Sequence, residues 1–369
     1  MPTLSRRAVL RLLAASAAAL PAQQSPGRKT RNIIFVMTDG LRWQELFRGA
    51  DGALMNKENG GVNDVDKLRS AYWRDSAQER RKALMPFLST IIAEQGQIFG
   101  NRDRNSDAYV SNSFNFSYPG YSETLCGFAD PRIDSNDDRP NPNVTVLEWL
   151  HQKPAYQGKV AAFAAWETFP YILNAERAGF LVNAGYDAFS RGRATPTMAL
   201  LNRLKSELPN TLGEEPFDAV TFLTAIEYFK EARPRVFFLS LGETDEWAHA
   251  GNYTQYLQAT RRVDDYVREL WETAQAMPEY RGTTTLIVSP DHGRGEAPLL
   301  WRNHGQKQPD SKYIWMAFLG PDTRPLGERA EIAPVVQNQI AATLASLLGE
   351  NYNAAVPQAG APIQDVLAG

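Results

Sequence analysis

The sequence predicts an α/β fold: one mainly parallel sheet sandwiched between layers of helix. Two patterns predict it. Short, unbroken apolar runs alternate along the chain with longer segments whose apolar residues recur every three or four positions. The runs also lack the in–out alternation of half-exposed strands, as expected where helices cover both faces of a sheet. A length of 369 residues suits one large domain of this kind.

Taken in order, the first run is residues 32–37, Asn-Ile-Ile-Phe-Val-Met, which stops at Thr38-Asp39-Gly40. Further runs lie at 159–166, 235–241, 283–289 and 313–319. Helical spacing occurs at 84–94, 144–151, 197–207, 217–231, 253–276 and 334–348. Two stretches break the alternation. Residues 44–82 are polar and charge-rich and read as a cap insertion after the first strand, and 294–312 read as a Gly-, Pro- and Arg-containing loop between two strands. Long loops in compact domains either carry function or move.

Composition narrows the partners. The net charge of −3 gives no electrostatic ground for a nucleic-acid polymer or an anionic membrane. No apolar stretch of about eighteen residues follows the N-terminus, so no membrane span is expected. Arg6 and Arg7 precede an apolar, alanine-rich run at 12–22. Paired arginines, a short apolar core and small residues, in that order, predict a twin-arginine export signal over 1–24 and a mature domain over 25–369, periplasmic or secreted. Cys126 is the single cysteine, which excludes an intramolecular disulfide and suits a packing role.

In open α/β sheets, ligands bind at the carboxyl ends of the strands. Here those ends gather acids and histidines. Asp39 closes the first run, Asp245 and His249 follow the third, Asp291-His292-Gly293 closes the fourth, and His304 sits in the loop beyond it. Of four histidines, only His151 falls elsewhere. Carboxylate oxygen and imidazole nitrogen are what Zn2+ and related ions accept in catalytic sites. At i,i+4 spacing, Asp245 and His249 share a helix face and can reach one ion. Each element alone has an ordinary explanation: a turn or cap aspartate, a solvated helical pair, a surface histidine. Their shared topological position outweighs those explanations.

A nucleophile is offered by Ser117 in Asn115-Phe116-Ser117-Tyr118-Pro119-Gly120-Tyr121. Pro119 suits the first helical position, which puts Ser117 or Tyr118 at the cap. A serine there feels the positive end of the helix dipole, which favours its alkoxide. Taken alone, a plain N-cap is the better reading of Ser117. Ser122, further along, is expected to bond back to a helix carbonyl.

This set, in this order, resembles the alkaline-phosphatase superfamily. It is most similar to the nucleotide pyrophosphatase/phosphodiesterase-like branch, whose nucleophile sits in a Thr-Phe-Pro turn, and the likeness spans about residues 32–319. The resemblance implies that Asp39, Ser117, Asp291 and His292 hold one divalent ion, and Asp245, His249 and His304 a second. Zn2+ is the implied metal, with Mn2+ as the alternative. It further implies that 25–369 form an alkaline-phosphatase-like catalytic domain hydrolysing a small-molecule phosphate ester, mono or di, through a phospho-serine at Ser117.

The sequence departs from the family in places. Gly120 stands where the branch has an asparagine contacting a phosphate oxygen, and Asn115, Arg302 or Asn303 are the candidates for that contact. Tyr121 occupies the position of the sulfatases' arginine, which argues against a formylglycine sulfatase, and the Asp-Ser-Ala turn of the alkaline phosphatases is absent. Two other readings share the ligand set: a phosphoglycerate-mutase-like metalloenzyme, which export disfavours, and a non-catalytic metal- and anion-binding protein. Trp43, Phe47, Tyr118, Tyr121, Trp166, Phe169 and Trp247 are pocket candidates, most of them better explained by packing.

Overall fold

The computed structural model describes residues 27–191 and 195–367, so the expected signal over 1–24 lies outside the described residues. Strands β1 (Asn32–Thr38), β2 (Gln97–Phe99), β3 (Ala108–Tyr109), β4 (Val160–Ala164) and β5 (Leu181–Ala184) are followed by β6 (Val236–Leu241) and β7 (Thr284–Pro290). Then come β8 (Met316–Leu319), β9 (Gly327–Glu328) and β10 (Val335–Val336). Eight of them form one sheet in the order β5-β4-β6-β1-β7-β8-β2-β9, while β3 and β10 pair separately. From β5 to β7 the strands are parallel; β8 runs antiparallel to both β7 and β2.

Every residue of β1 is buried, which is why the run carries no alternation. Ile34 and Val36 enter the core on one face, and Ile33, Phe35 and Met37 the core on the other. The register fixes the site. Thr38 is opposite both Leu241 and Pro290, so the residues immediately beyond, Asp39, Gly242 and Asp291, emerge in one row from three adjacent strands.

The five apolar runs all contain strands, but the last one shrinks to Met316–Leu319 and is antiparallel. Strands β2, β5, β9 and the β3–β10 pair were not anticipated, because two to four residues are too few to show a period. The pattern at 253–276 is a helix of those bounds, Tyr253–Ala276. At 84–94 the helix is instead wound in wide π turns over Phe87–Ile92, where Asp264 accepts the amides of Phe87 and Leu88 at 2.8 Å each. At 334–348, Val335 and Val336 pair with β3, and the α-helix begins only at Ile340.

Residues 44–82 fall within a run of four short helices, Trp43–Arg48, Lys57–Gly60, Val65–Tyr72 and Ala77–Leu84. A buried polar knot anchors the first. The Arg42 guanidinium, wholly inaccessible, is paired with Glu45, and Glu45 also accepts from the hydroxyls of Tyr253 at 3.0 Å and Tyr256 at 3.4 Å. A buried pair of this kind costs much more to break than it contributes, because removal of one partner strands the other charge. Glu45→Ala is therefore expected to lower the unfolding free energy by about 3–5 kcal/mol, measured by urea titration. A loss below about 1 kcal/mol would mean that Arg42 finds another partner or water.

Candidate metal centre

Asp39, Ser117, Asp245, His249, Asp291, His292 and His304 come together at the carboxyl ends of β1, β6 and β7. Asp39 follows β1, and Asp291 and His292 follow β7. Asp245 and His249 lie on one face of the short helix Glu243–His249, with His249 Nε2 3.0 Å from Asp245 Oδ2. His304 enters from the long loop, its Nε2 2.9 Å from His249 Nε2, and its ring stacks on His292 with centroids 4.1 Å apart. His151 is elsewhere, in the helix Val146–His151 against Phe180.

Two compact triads result. The donor atoms of Asp39, Asp291 and His292 lie within 4.8 Å of one another, and so do those of Asp245, His292 and His304. His292 thus stands between the two groups rather than wholly in the first, with His249 flanking the second.

The donors suit a cation. His292 Nδ1 is 2.8 Å from the Gly293 carbonyl and His304 Nδ1 is 3.2 Å from that of Asn115, so each ring donates there and turns an unprotonated Nε2 inward. Asp291 Oδ1 accepts the amides of Gly40 and His292, while its Oδ2 is buried with no hydrogen-bond partner. A buried, unpaired carboxylate oxygen 3.5 Å from an imidazole nitrogen suits a divalent-ion ligand.

The electrostatics agree. Burial, then repulsion from Asp245, pushes Asp39 well above the usual carboxylate range, and burial with repulsion from Asp39 does the same to Asp291. Burial acts on Asp245 in the same direction, yet the Arg294 guanidinium and the neighbouring histidines hold it well below that range. Burial lowers His292 to about 4, which keeps the imidazole neutral and available as a ligand.

Ser117 Oγ is 3.5 Å from Asp39 Oδ1 and 3.4 Å from His292 Nε2. Those separations are longer than an ordinary O–H hydrogen bond. The helix Ser117–Cys126 starts two residues earlier than Pro119 suggested: Phe116 is the extended N-cap, and Ser117 opens the first turn. Ser122 does not bond to a carbonyl but accepts from Asn141 Nδ2 at 3.1 Å; it is Thr124 that bonds back, to Gly120. Cys126 is fully buried, and burial pushes its thiol up to about 12.

Gly120 has a steric reason to be glycine. A Cβ there would lie 2.4 Å from the Asp291 carbonyl oxygen, so no asparagine fits. Of the three substitutes considered, Arg302 donates instead to the Asn59 carbonyl at 2.7 Å, Asn303 is exposed, and Asn115 is buried with Oδ1 unpartnered. Asn136, also exposed but fixed by its Oδ1 accepting the Tyr118 amide at 3.0 Å beside Ser117, carried no signal in the sequence. Tyr121 was also missed as a site residue: its hydroxyl donates to Asp39 Oδ2 at 3.1 Å and accepts from Ser240 Oγ at 3.0 Å. Its i+4 spacing from Ser117 was the available signal. The other pocket candidates Trp43, Phe47, Tyr118 and Phe169 are core residues, and Trp166 and Trp247 donate their indole N–H groups to Glu214 and Glu243.

The family described as type I phosphodiesterase / nucleotide pyrophosphatase matches residues 96–306, more than half of the chain. The chain belongs to this family. Membership places it among hydrolases of phosphoesters. The fold is also that of alkaline phosphatase PafA, at 11% identity over 93% of this chain and 99% of that one, with a TM-score of 0.57. A Vibrio parahaemolyticus protein of the alkaline phosphatase superfamily aligns over 92% of this chain and 71% of its own, at 14% identity and a TM-score of 0.52. A 2-O GAG sulfatase aligns over 92% and 74%, at 14% identity and a TM-score of 0.54. At such identities the likeness is one of fold. No curated protein sequence matches.

Metal removal has a pH-dependent consequence. Asp39 and Asp291 ionise near 3.8 in the unfolded chain but well above that in the folded protein without ions. The stability they contribute is therefore full below the unfolded value and is lost as pH rises through the folded ones, unless a cation compensates. The melting-temperature gap between metal-loaded and chelator-treated protein is expected to widen from about pH 5 to about pH 8. A constant or narrowing gap would refute this.

Proposed function

We propose that the protein hydrolyses phosphodiesters of small molecules through a phospho-serine at Ser117. The observation that carries this reading is the position of Ser117 Oγ at a helix N-terminus, beside Asp39 and His292 of the Asp39–Asp291–His292 group. Family membership supports diesters over monoesters. Asp39, Asp291 and His292, with Ser117, would hold one divalent ion, and Asp245, His249 and His304 the other; Zn2+ fits the nitrogen- and oxygen-rich donor set. Bound there, divalent ions would supply Lewis-acid charge to the phosphoryl oxygens and favour the serine alkoxide.

The chain's own groups do the rest. The positive end of the helix Ser117–Cys126 stabilises negative charge on Ser117 Oγ. Asn136 gives its carbonyl oxygen to the Tyr118 amide, which leaves its NH2 to donate to a non-bridging phosphoryl oxygen in the role that Gly120 cannot fill. Tyr121 holds Asp39 in orientation through one hydrogen bond. Tyrosine at position 121 in place of arginine supports phosphate over sulfate as the transferred group.

Ser117→Ala is expected to lower turnover of an aryl phosphodiester by several orders of magnitude while metal content stays nearly intact, because the three other ligands remain. Asn136→Ala should cost about a hundredfold in kcat, the usual loss for one oxyanion donor. Acid trapping and mass-spectrometric mapping decide the nucleophile: phosphate on Ser122 would sink the assignment. A panel of aryl monoesters, diesters and sulfates ranks the leaving groups, and faster monoester turnover would overturn the diester preference.

We also propose export by the twin-arginine route, supported by Arg6, Arg7 and the apolar run at 12–22. An Arg6→Lys, Arg7→Lys double variant should remain in the cytoplasm of a host with that machinery. Unchanged periplasmic yield would count against it.

A further inference from the structure

Arg294 directly follows the Asp291-His292-Gly293 turn and is buried, at 2% exposure. Nothing in the proposed reaction uses it. Its three nitrogens have three different partners. Nη1 is paired with Asp245 Oδ1, Nε donates to the Trp301 carbonyl at 2.8 Å, and Nη2 donates to the Arg302 carbonyl at 2.6 Å. One guanidinium therefore joins the helix that carries Asp245 to the loop that carries His304. Room is left for it: Gly40 sits under the pair with φ 56°, and a Cβ there would lie 2.7 Å from Arg294 Nη1 and 2.5 Å from Asp245 Oδ1.

The joint determines what each ligand presents. With Oδ1 of Asp245 engaged, Oδ2 is the oxygen left toward His249. With both loop carbonyls held and His304 Nδ1 donating to the Asn115 carbonyl, His304 Nε2 is turned toward His249 Nε2, 2.9 Å away, and lies 3.7 Å from Asp245 Oδ1. A planar fork with fixed N–H directions can span a carboxylate and two carbonyls at once; an ammonium group carries the same charge but not that geometry.

We propose that Arg294 is a positioning residue for the second ion, orienting Asp245 and closing the His304 loop around it. The proposal rests on the reading of Asp245 and His304 as ligands. Partners of this kind, one bond removed from the ion, typically change metal affinity 10- to 100-fold when lost.

The test is a Zn2+ titration of the purified full-length protein against a chromophoric competitor, for wild type, Arg294→Lys and Arg294→Ala. The wild type is expected to bind two Zn2+. Arg294→Lys should bind one ion as the wild type does and the other about 10- to 100-fold more weakly. Millimolar guanidinium should restore the second site of Arg294→Ala, a rescue that general damage to the fold would not permit. Titration with Co2+ gives a second readout, since the visible absorption of the second equivalent should change in Arg294→Lys while that of the first does not. If Arg294→Ala fails to fold by circular dichroism, the lysine variant and its Co2+ spectrum decide alone. Two ions bound by Arg294→Lys at wild-type affinity would overturn the proposal. A wild type that binds fewer than two ions would overturn the ligand reading itself, before any change at Arg294 is considered.

Discussion

Three aspartates are buried against one another at the end of the sheet, and only one has a protein cation beside it. Among the described residues, Asp245 is paired directly with Arg294; Asp39 and Asp291 have hydrogen bonds but no Arg or Lys paired with them, and Asp39 feels Arg294 only at a distance. In a water-poor site such carboxylates cannot all stay ionised without outside charge. Glu215 sharpens the imbalance, being buried, lacking a partner at Oε2 and raised by burial and by Asp39. Much of the local architecture follows from that deficit: neutral imidazoles with their inner nitrogens bare, a carboxylate oxygen left unbonded, and a tyrosine hydroxyl steadying the acid closest to the nucleophile. The unbonded oxygen costs stability in the protein alone, a cost that a bound cation would offset.

How far the sequence revealed this depends on the scale of the signal. Long, fully apolar strands and the amphipathic helix Tyr253–Ala276 declared themselves, because burial on both faces or on one stripe writes a period into the chain. Strands of two to four residues did not, since their partners are fixed by tertiary context. The acids and histidines were legible because strand ends are readable positions, and the register of β1 with β6 and β7 turns those positions into one row. Arg294 and Asn136 were not, because their roles lie in contacts between loops. Nothing in the residues around Asn136 hints that its carbonyl meets the Tyr118 amide from the other side of a turn.

The start of the nucleophile helix shows how local preference yields to packing. Proline favours the first helical position, yet here Phe116 caps and Pro119 lies within the first turn. Close contact of Gly120 with the Asp291 carbonyl sets where that helix must lie, and the helix begins where the contact allows. The same contact holds the helix of Ser117 against Asp291.

The loop that carries His304 is tied differently. Trp301 donates its indole N–H to the Asn59 carbonyl at 3.0 Å, Arg302 reaches the same oxygen, and the Trp301 ring packs on Tyr253 and Tyr256. Segment 43–84 and the loop before His304 therefore behave as one heritable module. A replacement segment with a different backbone path would leave Trp301 and Arg302 without their acceptor, the Asn59 carbonyl. Divergence in this region should proceed by coordinated exchange, and a chimera built for altered selectivity must carry both pieces across together.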